Sequence, residues 1–209
     1  RYIYIFNHNG QVRTGWPKFL NIGNYVTITL PSIGDLNNDN LPELIFPVSS
    51  YNPGNQNYDS NKIFIFEPDG QLYLNSPINT DSNYNYWFNP PVIFKNKNRD
   101  STFFVVNSNK SATGAPNTFT SRVEVYNAEG NIVNRFNLTP RYRMDQISMG
   151  DLNNDDVPEI VFGSSFYEVY CFSLDGNLLP GFPVWADNFE SRSSSIGKIS
   201  SDMCITTMG

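Results

Sequence analysis

The sequence predicts an all-β fold assembled from repeated four-stranded antiparallel sheets. Three observations predict it. Of 209 residues, 15% are aromatic, 29 are Asn and only 16% are charged, a balance of strand-forming and turn-forming residues that disfavours helices. An acidic segment occurs twice, its copies 116 residues apart. A glycine-centred hairpin occurs four times, its glycines spaced by 60, 60 and 46 residues.

The acidic segment is Ile33-Gly34-Asp35-Leu36-Asn37-Asn38-Asp39-Asn40-Leu41-Pro42-Glu43-Leu44-Ile45-Phe46, and it returns as Met149-Gly150-Asp151-Leu152-Asn153-Asn154-Asp155-Asp156-Val157-Pro158-Glu159-Ile160-Val161-Phe162. Midway, Phe94 to Val105 keeps the polar loop and the apolar strand but loses the acids, and a shortened version begins at Ile196-Gly197-Lys198. The hairpins are Phe6 to Val12, Phe66 to Leu72, Tyr126 to Ile132 and Phe172 to Leu178, each turning at a Gly able to take positive φ. Gly15-Trp16-Pro17 recurs as Gly181-Phe182-Pro183 at the same offset from the turn.

Each repeat therefore holds strand A before the acidic loop, strand B after it, and a C–D hairpin. Four short antiparallel strands repeated at this length form the blade of a β-propeller, in which a sheet buries both faces only by stacking on its neighbours. The expected divisions are strands C–D of a first blade at 1–20, blades at about 24–80, 83–138 and 141–185, and strands A–B of a last blade at 194–209. Four blades closed into a ring satisfy the count, as does a segment of a larger ring. The abrupt stop of the last strand at Gly209 favours the segment. The acidic loops and Gly hairpins share one face. Long B–C loops are expected on the other, at about Pro47–Asn61 and Asn107–Ser121.

No apolar run approaches the ~20 residues of a membrane span. A net charge of −6 leaves no electrostatic footprint for nucleic acid. Cys171 and Cys204 sit in apolar strand-like runs and read as buried thiols rather than a disulfide framework.

In Asp35-Leu36-Asn37-Asn38-Asp39-Asn40-Leu41-Pro42-Glu43, oxygen side chains fall at positions 1, 3, 5 and 9. Such alternation points oxygens at one centre, with the backbone carbonyl of position 7, Leu41 or Val157, filling a gap. Carboxylate, amide and carbonyl oxygens are hard ligands suited to Ca²⁺ and poor for zinc. Position 6 favours positive φ, which Asn40 tolerates better than Asp156. The loop is not an EF-hand, because position 12 is Phe46 or Phe162 rather than a bidentate Glu. An acidic turn that binds nothing would hold three carboxylates together at about 1 kcal/mol of repulsion per pair in water, and more where water is excluded. The expected metal ligands are thus Asp35, Asn37, Asp39, Leu41 and Glu43 in one loop, and Asp151, Asn153, Asp155, Val157 and Glu159 in the other. Phe94, Asn98 and Thr102 replace ligands in the middle repeat and Lys198 replaces the first in the last, so no calcium is expected there. Two Ca²⁺ ions would bring the formal charge from −6 to about −2.

These residues resemble the FG-GAP/VCBS repeats of integrin α-like propellers, found also in secreted bacterial proteins. The resemblance covers nearly the whole chain and rests on the Asp-x-Asn-x-Asp-x-x-Pro-Glu run followed by an apolar strand. It implies calcium between strands A and B, held by Asp35, Asn37, Asp39 and Glu43 and by Asp151, Asn153, Asp155 and Glu159. The chain departs from the family in lacking the loop Gly at Asn40 and Asp156 and in its two eroded blades.

The expected function is a secreted or cell-surface, calcium-binding adhesion or ligand-binding module. Its partner would be an extracellular protein or glycan, with contacts from Tyr51, Tyr58, Tyr84, Tyr86, Trp87 and Phe88, whose rings and neighbouring amides suit a sugar or peptide. The alternatives are a structural propeller packed against neighbouring subunits of an assembly and, less favoured, a calcium-assisted polysaccharide-processing enzyme. Catalysis is not expected. His8, the one His, lies in a hairpin, and Arg141, Arg143 and Asp145 read as a surface ion-pair group.

Overall fold

The computed structural model describes residues 2–22, 25–54, 57–84, 89–96, 101–111, 119–138, 144–164, 167–185, 193–199 and 202–208. Among them there is no helix, and every strand pairing is antiparallel. Sheet I pairs β1 (Tyr2–Ile3) with β2 (Lys18–Phe19). Sheet II contains β3 (Tyr25–Ile28), β4 (Ser32–Gly34), β5 (Glu43–Asn52), β6 (Asn57–Phe66) and β7 (Ile78–Thr80); β3 and β4 both pair with β5. Sheet III is the meander β8 (Val92–Asn96), β9 (Ser101–Ser111), β10 (Phe119–Asn127) and β11 (Ile132–Leu138). Sheet IV repeats it with β12 (Met144–Gly150), β13 (Glu159–Ser164), β14 (Glu168–Phe172) and β15 (Val184–Trp185), and sheet V pairs β16 (Ser193–Ile199) with β17 (Asp202–Met208).

The central strands show why their apolar runs are continuous rather than alternating. In β5, Leu44, Phe46 and Val48 pack with Trp16 and Leu20, whereas Ile45 packs with Phe104 and Val106 of sheet III. β6 divides the same way, Phe64 and Phe66 on one side, Ile63 and Ile65 on the other. In sheet IV, Ile160 and Phe162 face Val105, Val123 and Val125 of sheet III, while Val161 faces Ile196 and Ile205 of sheet V. Side chains alternate between two buried faces, so both parities must be apolar.

The glycine preceding each acidic loop belongs to this stacking. A Cβ on Gly34 would lie 2.9 Å from Cδ1 of Ile93 on β8, and one on Gly150 would lie 2.7 Å from Cγ2 of Ile196 on β16. Both are closer than carbon atoms approach, so a larger residue at either position would force the Ile side chain of the next sheet to move. The Gly-x-Pro segments after the hairpins share a cis peptide bond at Trp16–Pro17 and Phe182–Pro183, with a third at Ser76–Pro77.

The expected long B–C loops are strands instead. β5 and β6 stay paired out to Asn52 opposite Asn57, and β9 and β10 out to Ser111 opposite Phe119. Their outer halves escape pattern reading because buried positions there are polar. Asn61 Nδ2 donates to the carbonyls of Asp81, at 2.9 Å, and Tyr84. Asn109 Oδ1 accepts from the Met144 amide at 3.1 Å while its Nδ2 donates to the Met144 carbonyl at 3.2 Å. Each amide side chain thus stands in for a ladder partner, satisfying backbone groups of the segment that enters the next sheet.

Candidate metal centre

Both acidic loops run from the end of an A-side strand to the first residue of strand B, and their internal hydrogen bonds coincide position by position. In the first, Asp35 accepts from the amides of Asp39 (3.2 Å) and Asn40 (2.9 Å), Asn37 Oδ1 from Asp39 (3.0 Å) and Asp39 Oδ1 from Leu41 (2.7 Å). In the second, Asp151 accepts from Asp155 (3.1 Å) and Asp156 (2.9 Å), Asn153 Oδ1 from Asp155 (2.9 Å) and Asp155 Oδ1 from Val157 (2.8 Å). Position 6 has positive φ in both, 67° at Asn40 and 64° at Asp156. So does position 4, at Asn38 and Asn154, where an Asn in each copy was the available sign.

Loop and strand are tied together by the Glu at position 9. Glu43 and Glu159 are 0% and 2% exposed, and each accepts from the amide of position 2, Leu36 or Leu152, at 2.7 Å through Oε2. The remaining oxygens differ. Glu159 Oε1 accepts from Asn153 Nδ2 at 3.0 Å, whereas buried Glu43 Oε1 has no N–H donor among the described residues and the Glu43 side chain meets only the Glu67 carboxyl, with which it can share a proton. A buried carboxylate oxygen without a donor is costly, and a cation is the natural partner of an ionised one. Burial pushes the Glu43 carboxyl up to about 7, reinforced by the charges of Glu67, Asp39 and Asp35 against the Leu36 hydrogen bond. Glu159 is raised for the same first reason.

Oxygens of Asp39, Glu43 and Glu67 lie within 4.8 Å of one another. Glu67, at the start of the second hairpin, is absent from the expected ligand set, because only strand register brings it beside Glu43. The all-oxygen donor set and the orphaned Glu43 oxygen fit a hard divalent cation. Asp35, Asn37, Asp39, Leu41 and Glu43 would hold it in the first loop, and Asp151, Asn153, Asp155, Val157 and Glu159 in the second. Bound there, the ion would supply positive charge to offset the carboxylates. The second loop opens on a cleft of about 610 Å³ lined by Asn153, Asp155, Val157, Glu159, Ser173 and Asp175 among others. In the middle repeat, Phe94 stacks on Phe103 with ring centroids 5.4 Å apart, and Asn98 lies outside the described residues.

Of the expected ligand-contact aromatics, the side chains of Tyr51 and Tyr84 fall within the described residues. Tyr84 is buried at 8% exposure beneath the Arg122 guanidinium, 3.7 Å from its ring centre. The cation covers the face offered for stacking, and Arg122 is itself held by Asp81 at 3.1 Å. Tyr51 is half-buried on β5, in register with Tyr58, whose side chain lies outside the described residues, as do Tyr86, Trp87 and Phe88. His8 is exposed in its hairpin. Arg141 and Arg143 lie outside the described residues, as does the Asp145 side chain. Cys171 is a free, fully buried thiol pushed up to about 12 by burial and the Glu159 charge, which removes it as a nucleophile; Cys204's side chain is outside the described residues.

No protein-family model matches the chain, and no curated protein matches it by sequence. Its shape is similar to that of a Bacillus licheniformis rhamnogalacturonan lyase PL11. The TM-score is 0.59 at 12% identity, over 98% of this chain and 43% of the lyase chain. At that identity the likeness is one of fold: this all-β arrangement recurs within a longer protein. No helix among the described residues is long and apolar enough to cross a membrane.

Proposed function

We propose that the chain is a β-propeller region of a secreted or cell-surface protein, holding two calcium ions that stiffen its blades and acting as an adhesion or ligand-binding module. The propeller reading is supported by four-strand meanders that bury both faces between neighbours in chain order. The calcium reading is carried by one observation. Two loops 116 residues apart repeat the same carboxylate-to-amide bonds, around a buried Glu whose free oxygen in the first loop lacks a donor. Within each loop, Asp35 or Asp151 fixes the turn by accepting two backbone amides, and Glu43 or Glu159 anchors it to the sheet. Extracellular calcium at millimolar levels suits sites of this modest charge.

The structural likeness to a rhamnogalacturonan lyase favours a second reading, in which the region belongs to a polysaccharide-processing enzyme. Cleavage of rhamnogalacturonan by this chain would favour it over the binding module. The calcium reading is tested by thermal unfolding, with calcium titrated from chelator into the millimolar range. An ion at a hundred times its Kd contributes about 2.7 kcal/mol, or roughly 5–10 °C per site for a chain of this size. An unchanged melting temperature would sink it.

A further inference from the structure

We propose that Glu67 is an additional ligand of the first acidic loop, and that the two loops are consequently unequal, the first binding calcium the more tightly. The inference rests on the calcium reading of the loops. It starts from strand register. Leu44 pairs with Phe66 at the end of the β5–β6 ladder, and continuing that register by one residue places Glu43 opposite Glu67. Two opposed carboxylates repel and weaken a sheet unless a shared proton, as in the Glu43–Glu67 side-chain hydrogen bond of the metal-free chain, or a cation lies between them.

The geometry supplies a place for it. Ligand oxygens of Asp39, Glu43 and Glu67 lie within 4.8 Å of one another. Three oxygens within 4.8 Å of one another share a point no more than ~2.8 Å from each, so a side-chain shift of a few tenths of an ångström brings all three to the ~2.3–2.6 Å of calcium ligands. Glu43 is 0% exposed and its Oε1 has no donor among the described residues. Glu43 is thus a buried member of the trio with an oxygen that no N–H donor satisfies.

The second loop lacks this arrangement. Ile160 pairs with Phe172, which sets Glu159 opposite Ser173 rather than a carboxylate. Glu159 Oε1 is already occupied by the Asn153 amide at 3.0 Å. The first loop thus gathers Asp35, Asp39, Glu43 and Glu67, whereas the second gathers Asp151, Asp155 and Glu159. Affinity in oxygen sites rises with the number of charged ligands, and the extra carboxylate is expected to tighten binding by about tenfold or more.

Calcium titration of the chelated full chain, by calorimetry or competition with a fluorescent chelator, tests this. Asp151→Ala isolates the first loop and Asp35→Ala the second. The expected result is a tighter site in Asp151→Ala than in Asp35→Ala, weakened about tenfold by adding Glu67→Gln to Asp151→Ala. Glu67→Gln added to Asp35→Ala should change nothing. Ser173→Glu should tighten the second loop, a gain that misfolding cannot produce. If both loops bind calcium and Glu67→Gln leaves the first unaffected, the inference is wrong and the calcium reading stands. If neither binds, both fall.

Discussion

Leu36→Ala lowers stability by about 2–5 kcal/mol, although it removes no charge and no metal ligand. Leu36 is the second residue of the first acidic loop, yet it is 0% exposed. It lies among Ile45, Ile63 and Ile65 of sheet II, Tyr73 of the β6–β7 connection, and Phe104, Val106 and Tyr126 of sheet III. Truncation empties a space at the seam between two sheets, where neither can collapse inward without breaking its own ladder. The loop also loses the anchor that holds its backbone amide 2.7 Å from Glu43, so calcium binding weakens alongside stability. Urea unfolding at fixed calcium measures the first effect, and Leu152→Ala is the internal comparison. Leu152 is only half-buried, so its truncation costs less. Equal losses at the two positions would contradict the assignment of Leu36 to the inter-sheet core.

In chelator, the protein becomes less stable as pH rises from about 4.5 to about 7. Glu43 has its folded-state pKa near 7 against an ordinary value of 4.5. The folded chain therefore holds this proton more tightly than the unfolded chain does. The associated stability is fully present below about 4.5 and is lost as pH climbs through about 7, a change of about 3 kcal/mol for one such group. Burial is the main cause, and the carboxylates of Glu67, Asp39 and Asp35 add to it. Glu67 is raised in the same direction by burial and the Asp39 charge, and Glu159 by burial. Calcium needs these groups ionised, so in millimolar calcium the trend should reverse and stability should hold or rise toward neutral pH. Urea midpoints across this range, with and without calcium, check the sign. A metal-free protein that gains stability over the same interval would contradict it.

Much of the fold was legible because its signals are local. The turn glycines Gly10, Gly70, Gly130 and Gly176 all take positive φ, between 79° and 84°. Asp35, Asn37 and Asp39 organise their loop through bonds spanning five residues or fewer, so the spacing itself encodes the geometry. What escaped reading depends on partners distant in sequence. Glu67 meets Glu43 only through the β5–β6 register. Gly34 and Gly150 belong to the packing of the next sheet rather than to the acidic loop. Asn61 and Asn109 hold buried strand positions in segments that read as loops, because their polar side chains are satisfied by backbone groups distant in sequence, Asp81 and Met144. Tyr84 reads as a contact residue in the sequence, but Arg122, 38 positions later, covers its ring.

The most direct test of the central claim is a count of bound calcium. In equilibrium dialysis against millimolar calcium the native chain should hold two ions above the dialysate, and each of Asp35→Ala and Asp151→Ala one. Retention of no calcium by the native chain, or of two ions by either variant, would contradict the assignment of the two acidic loops as calcium sites.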